Sequence, residues 1–187
     1  ILNQKDILNQ RDLSNIIEKL QNMGTGQIHL TGGEPLLKVD ILTNLLKQSK
    51  RTSNFWINTS GFKLTMVNAK TLKESGLTGV FISLDHFEEA IHNDAIANNL
   101  VVAFSVCVTK DFVSEENLMA YMQLAKETGV HFVQFLEPKA VGHYKGKDVA
   151  LTQEHIELLE SFYVKMNFSN AFLDFPIINY HGYYQRR

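Results

Sequence analysis

Two glycines, a carboxylate and a proline stand together at Gly32-Gly33-Glu34-Pro35, directly after the apolar run Ile28-His29-Leu30-Thr31. If that run is a parallel strand, the four residues lie at its C-terminal end, the edge at which α/β sheets bind ligands. Glycine lets a backbone come within hydrogen-bonding reach of a ligand, and a carboxylate there suits an ammonium group. The same residues also read as a plain strand-to-helix turn with an acidic residue favoured by the helix dipole.

The other reactive side chains carry less. Cys107 is the single cysteine, so no disulfide and no cysteine-based metal cluster can be built within these 187 residues. Its apolar setting, Val102 to Thr109, predicts a buried structural thiol. Glu88 and His92 are four apart and close in sequence to Asp85 and His86, but without a His-x-x-x-His pair they read as a solvated helix face. His29, within the strand, reads as a packed or hydrogen-bonded core residue. Lys139, His143, Tyr144, Lys145 and Lys147 make a basic loop that could meet an anionic substrate or a peptide, although a plain solvated loop is the expected reading. Gly24-Thr25-Gly26 precedes a strand rather than following one, which excludes a phosphate loop.

These residues need elements to position them, and the chain alternates helix and strand. Helices are expected over Asp12 to Met23, Asp40 to Lys50, Val67 to Ser75, Ser114 to Thr128 and Thr152 to Asn167, with Gly24, Gly76 and Gly129 closing three of them. Strands are expected over Gln27 to Thr31, Phe55 to Thr59, Gly79 to Asp85, Leu100 to Val108 and His131 to Leu136. The fourth is nearly continuously apolar, as when helices cover both faces of a parallel sheet. The aromatic tail from Phe168 to Arg187 matches no clear element, and packing onto the interior is its expected role. With 44% hydrophobic residues the chain can bury one substantial core. A net charge of −2 gives no basic footprint for nucleic acid, and no apolar run reaches the length of a membrane span, so a cytoplasmic protein is expected.

With the strands placed, three strand ends form a set: Gly32-Gly33-Glu34-Pro35-Leu36-Leu37, Asn58-Thr59-Ser60-Gly61 and Ser83-Leu84-Asp85. In order and spacing this set resembles the radical S-adenosylmethionine (SAM) superfamily. The resemblance implies an α/β fold, a partial TIM-like (β/α)6 barrel of parallel strands over residues 1–167, with residues 168–187 as a tail packing on or leaving the barrel. It implies SAM and a [4Fe-4S] cluster as cofactors, an electron donor, and a small-molecule or peptide substrate. By the same resemblance Gly32, Gly33 and Glu34, with Pro35 closing the motif, hold the methionine ammonium. Asn58 and Thr59 line the floor, and Ser83 and Asp85 lie near the ribose or methionine carboxylate. Ser105, Leu136 and Glu137 are expected at the ribose and adenine. SAM carries an ammonium, a carboxylate, a sulfonium and a diol, so acceptors and hydroxyls at several strand ends suit it.

One departure is severe. The family's CxxxCxxC triad, whose three thiolates anchor the cluster, is not present, and neither is the strand that precedes it. Either a longer protein supplies that loop, the expectation adopted here, or this is a degenerate relative. The short crossover between Asp85 and Leu100 likewise predicts that residues are skipped near Asn93 to Ala95. The expected function is a radical SAM enzyme core generating a 5′-deoxyadenosyl radical for hydrogen abstraction. The alternatives are a cluster-free module binding SAM or another small ligand, and a conventional barrel hydrolase or lyase using the strand-end carboxylates Glu34, Asp85 and Glu137.

Overall fold

A computed structural model describes residues 8–84 and 93–187. Asp85, His86, Glu88 and His92 lie outside the described residues, as does most of the crossover in which skipped residues were expected. The described chain alternates strand and helix, with parallel strands in the α/β class expected, and it divides into two compact units. The first holds residues 8–83 and 93–102, the second residue 84 and residues 103–187.

In the first unit α1 (Gln10–Asn22) opens on a reciprocal cap: Asn9 accepts from the backbone N–H of Asp12, and Asp12 accepts from that of Asn9. Strands β1 (Gln27–Leu30), β2 (Asn54–Thr59) and β3 (Leu77–Ser83) pair in parallel, in that order. Helices α2 (Val39–Gln48) and α3 (Met66–Ser75) connect them, and the short α4 (Asn93–Ala97) follows. Thr65 caps the start of α3, and Gly76, at φ +113°, closes it in a conformation other residues rarely adopt.

The side-chain period of two assigns the sheet faces. Ile28, Phe55, Ile57, Val80 and Ile82 are buried, as are Leu42, Leu45, Leu46, Ala69 and Leu72 of the helices. Full burial of such an aliphatic or aromatic side chain is worth about 1.5–3 kcal/mol. The opposite face carries His29, Trp56, Asn58, Gly79, Phe81 and Ser83. There the ring of Trp56 lies so close over Gly79 that a Cβ would come within 2.5 Å of it and 2.3 Å of the Val101 carbonyl oxygen. Packing therefore requires glycine at that position.

In the second unit β4 (Val101–Cys107, from Ala103 onward), β5 (Phe132–Leu136) and β6 (Ile177–Tyr180) pair in parallel, in that order. Helices α5 (Glu115–Glu127) and α6 (Gln153–Phe168) start on the hydroxyls of Ser114 and Thr152, the latter as the sequence predicts. Phe104, Val106, Val133, Phe135, Ile178 and Tyr180 form the buried face, with Leu118, Met122, Leu159, Phe162 and Met166 of the helices also buried. Phe135 and Phe162 have ring centroids 6.4 Å apart.

Most strand and helix bounds agree with the sequence reading to within about two residues, and the departures lie in the tail. Residues left unassigned form β6 and the short α7 (His181–Gln185). Tyr180 is wholly buried, whereas Phe168 and Tyr184 are exposed, so the tail packs inward at some positions only. Cys107 is half-buried rather than buried, because it lies on the sheet face opposite to Phe104 and Val106. His29 is exposed rather than core, stacked on Trp56 at 6.2 Å and bonded to Gln27 and Asn58.

Candidate ligand site at the strand ends

Within the first unit the chain leaves β1 through Gly32 and Gly33 and enters a short 3-10 turn, Pro35–Lys38. Pro35 sits at the start of that turn, where its missing N–H costs nothing. Leu36, 1% exposed, anchors the turn to the core. Glu34 sets the geometry between strand and turn. Its Oε1 accepts from the Leu36 N–H at 3.0 Å and from the Thr59 hydroxyl at 2.6 Å. Its Oε2 accepts from the Ser60 N–H at 2.9 Å and from the Ser60 hydroxyl at 2.5 Å.

Four donors therefore converge on one carboxylate and tie the exit of β1 to the exit of β2. Partial burial alone would raise the Glu34 pKa, but the hydroxyls of Ser60 and Thr59 and the two backbone N–H groups outweigh it and hold it below 4.5. Glu34 is thus a fixed anion at neutral pH. Each of its oxygens already takes two donors, near the capacity of a carboxylate. An arriving ammonium would share an oxygen or displace a donor, while the backbone carbonyls of the glycine pair remain the direct acceptors.

Gly32 and Gly33 are exposed, and neither has a positive φ. A Cβ on either would meet nothing within 4 Å among the described residues. Among the described residues neither backbone conformation nor packing asks for glycine here, and bare backbone of this kind permits close approach by a ligand. That observation fits SAM, whose amino acid end needs bare backbone and acceptors.

The remaining expected residues are distributed as the strand period dictates. Thr59 is buried and bonded to Glu34, whereas Asn58 points to the opposite face and accepts from His29 at 3.0 Å. Ser83 shares the face of Asn58 and is exposed. Asp85 is outside the described residues.

In the second unit Ser105 lies in register with Gln134 and Asn179 across β4, β5 and β6, and exposed Leu136 lies on the same face. Glu137, the next residue, turns toward β6. Its Oε1 accepts from the Tyr180 hydroxyl at 2.5 Å and from Arg186 Nη1 at 2.8 Å. Arg186 also donates to Glu160 at 2.9 Å and to the Tyr180 oxygen. Burial raises the Tyr180 pKa, and the Glu137 carboxylate raises it further, so the phenol stays protonated. Burial opposes the charge on Arg186, but the bonds to Glu160, Glu137 and Tyr180 outweigh it and keep the guanidinium ionised.

Sequence reasoning missed Ser60, Tyr180, Arg186 and Glu160. Ser60 could have been found from its place beside the Asn58-Thr59 pair. The others are reached through the bonds to Glu137 and Glu160, which join residues 26 to 49 positions apart across α6, β5, β6 and α7, and no spacing rule finds such a set. Lys139, Lys145 and Lys147 are exposed, as a solvated loop requires. Among the described residues no group of three His, Cys, Asp or Glu side chains could hold a metal ion, and Cys107 is the only thiol. The residues present do not fit a [4Fe-4S] cluster. No described helix is long and apolar enough to cross a membrane.

A sequence model of the Radical SAM superfamily matches residues 2–136. The GTP 3′,8-cyclase of Aliarcobacter butzleri is 27% identical over 153 residues, which cover 72% of this chain and 47% of the relative. That of Staphylococcus saprophyticus is 25% identical over 186 residues, covering 89% of this chain and 53% of the relative. The chain thus spans about half the length of these relatives. Among solved structures, Streptococcus suis SuiB bound to its precursor peptide SuiA superposes with a TM-score of 0.75 at 14% identity, covering 98% of this chain and 45% of SuiB. Native anSMEcpe with bound AdoMet gives 0.64 at 19% identity, covering 92% of this chain and 55% of that one. At such identities the likeness is one of fold, and it bears out the partial TIM-like barrel class.

Proposed function

This chain belongs to the radical SAM superfamily, and we propose that it is the SAM-binding core of an enzyme of that superfamily. The observation that carries the reading is the glycine pair, free of any conformational or packing demand of its own, beside a carboxylate fixed as an anion. In this reading the methionine end of SAM lies along Gly32 and Gly33, its ammonium held by their carbonyls in the field of Glu34. Pro35, Asn58, Thr59, Ser83 and Asp85 complete the residues assigned to that end. Ser105, Leu136 and Glu137 are assigned to the ribose and adenine.

A [4Fe-4S] cluster of the kind the superfamily uses would supply redox chemistry, but the single cysteine here would not hold it, and its thiolates would have to come from residues other than these 187. This chain's own part is to bind and orient the cosubstrate. The substrate is drawn from two classes suggested by the relatives, a nucleotide such as the cyclases act on and a peptide such as SuiB binds.

Equilibrium dialysis with labelled SAM tests the assignment. Gly33→Val puts a branched side chain into the open space, and SAM affinity is expected to fall by at least about tenfold, close to 1.4 kcal/mol. Unchanged affinity in a folded variant would remove the ligand from this strand end.

A further inference from the structure

Glu137 has one oxygen in use and one to spare. Its Oε1 takes both the Tyr180 hydroxyl and Arg186 Nη1, while no described residue donates to Oε2. The side chain is 25% exposed, so the carboxylate is within reach of a ligand. Three features hold the carboxylate in this orientation. The Tyr180 ring is wholly buried, which leaves its hydroxyl little freedom. The Arg186 guanidinium is anchored on its other side by Glu160, with Nε donating at 2.9 Å, so it cannot swing away without breaking a second ion pair. The backbone of α7 then closes over the group at Gly182, where a Cβ would stand 2.2 Å from Glu137 Oε1 and 2.7 Å from Arg186 Nη2. Gly182 is buried and has an ordinary φ, so it is the carboxylate, the guanidinium and the edge of the Tyr180 ring, 2.9 Å from such a Cβ, that need it to be glycine.

We infer that Arg186, Tyr180 and Gly182 are positioning residues that aim Glu137 Oε2 at the end of β5 as an acceptor for paired donors, a ribose diol or an exocyclic amine of the adenosine portion of SAM. The inference rests on the assignment of Glu137 to that portion made above. A carboxylate held by a single flexible contact would accept from many directions. Held by two donors on one oxygen, it presents the other in one direction, which is the condition for orienting a diol rather than merely attracting it.

The full-length protein is titrated with two partial ligands, 5′-deoxyadenosine and methionine, by calorimetry. Glu137→Gln tests the assignment. It should weaken 5′-deoxyadenosine by about tenfold, the loss expected for a charge-assisted hydrogen bond, and leave methionine unchanged. Arg186→Gln and Gly182→Ala test the positioning. Each should weaken 5′-deoxyadenosine severalfold, again with methionine unchanged. Because the alanine also meets the buried Tyr180 ring at 2.9 Å, Tyr180→Phe, which keeps the ring and removes the hydroxyl bond to Glu137, is the second test of positioning and should likewise weaken 5′-deoxyadenosine severalfold. If Glu137→Gln binds 5′-deoxyadenosine as the wild type does, the assignment of Glu137 falls, and the inference with it. If Glu137→Gln weakens binding but Tyr180→Phe does not, the assignment stands and the positioning role is overturned.

Discussion

Glu34 shows how one side chain can be both a structural tie and a ligand-site charge. Because its pKa is lowered in the fold, its stabilisation is fully present above its ordinary value of 4.5 and is lost as pH falls through the lowered one. Glu34→Gln should therefore be about 1 kcal/mol less stable than wild type at pH 7, for the charge-assisted bonds lost, and the deficit should shrink as pH falls below 4.5 through the lowered value. Urea titrations along a descending pH series check this, and a deficit that does not change with pH would mean that packing, not charge, is what Glu34 provides. The glycine pair and the carboxylate were legible from residue type and position alone. What the carboxylate touches was not, because Thr59 and Ser60 reach it only once β1 and β2 are paired.

At the scale of elements, β6 is the outer strand of the second unit and pairs with β5. Its other side would offer unpaired backbone groups, which invite association with another strand. Asn167, near the end of α6, meets that demand: its amide nitrogen donates to the Ile178 carbonyl at 2.8 Å and its oxygen accepts from the Ile178 N–H at 2.9 Å. One side chain thus occupies the place of a further strand. Asn167→Leu strips both bonds and should cost about 1–3 kcal/mol in denaturant titration. Sedimentation at rising concentration should then reveal association absent from wild type, and a monodisperse variant of undiminished stability would show that the edge needs no such cover. The helices and inner strands were legible because their apolar periods are long. β6 was not, since four residues, Ile177 to Tyr180, between Pro176 and the short α7 give too short a period. Its only sequence signal is an alternation in which Ile178 and Tyr180 are buried while Ile177 and Asn179 are exposed.

At the scale of the whole molecule, family membership and the residue inventory pull apart. The superfamily's chemistry needs a cluster, yet these residues offer one half-buried thiol and, among those described, no metal-binding group. The polypeptide of this sequence, treated anaerobically with iron and sulfide, should gain no cluster absorbance and still bind SAM. A protein carrying the CxxxCxxC loop together with these residues should gain it. A cluster formed on this polypeptide alone would overturn the division of labour proposed above. The partial barrel class was legible from the alternation of elements; the absent ligands were legible from cysteine content, a matter of counting rather than folding.

The division of the chain into units also follows its direction of synthesis. Every described residue of the first unit except 93–102 precedes residue 84, and 103–187 make up nearly all of the second. The strands β1 to β3 and their helices therefore leave the ribosome while the second half is still being decoded. The glycine pair and its carboxylate tie can be assembled on a nascent chain before Arg186, last but one in the sequence, has been translated.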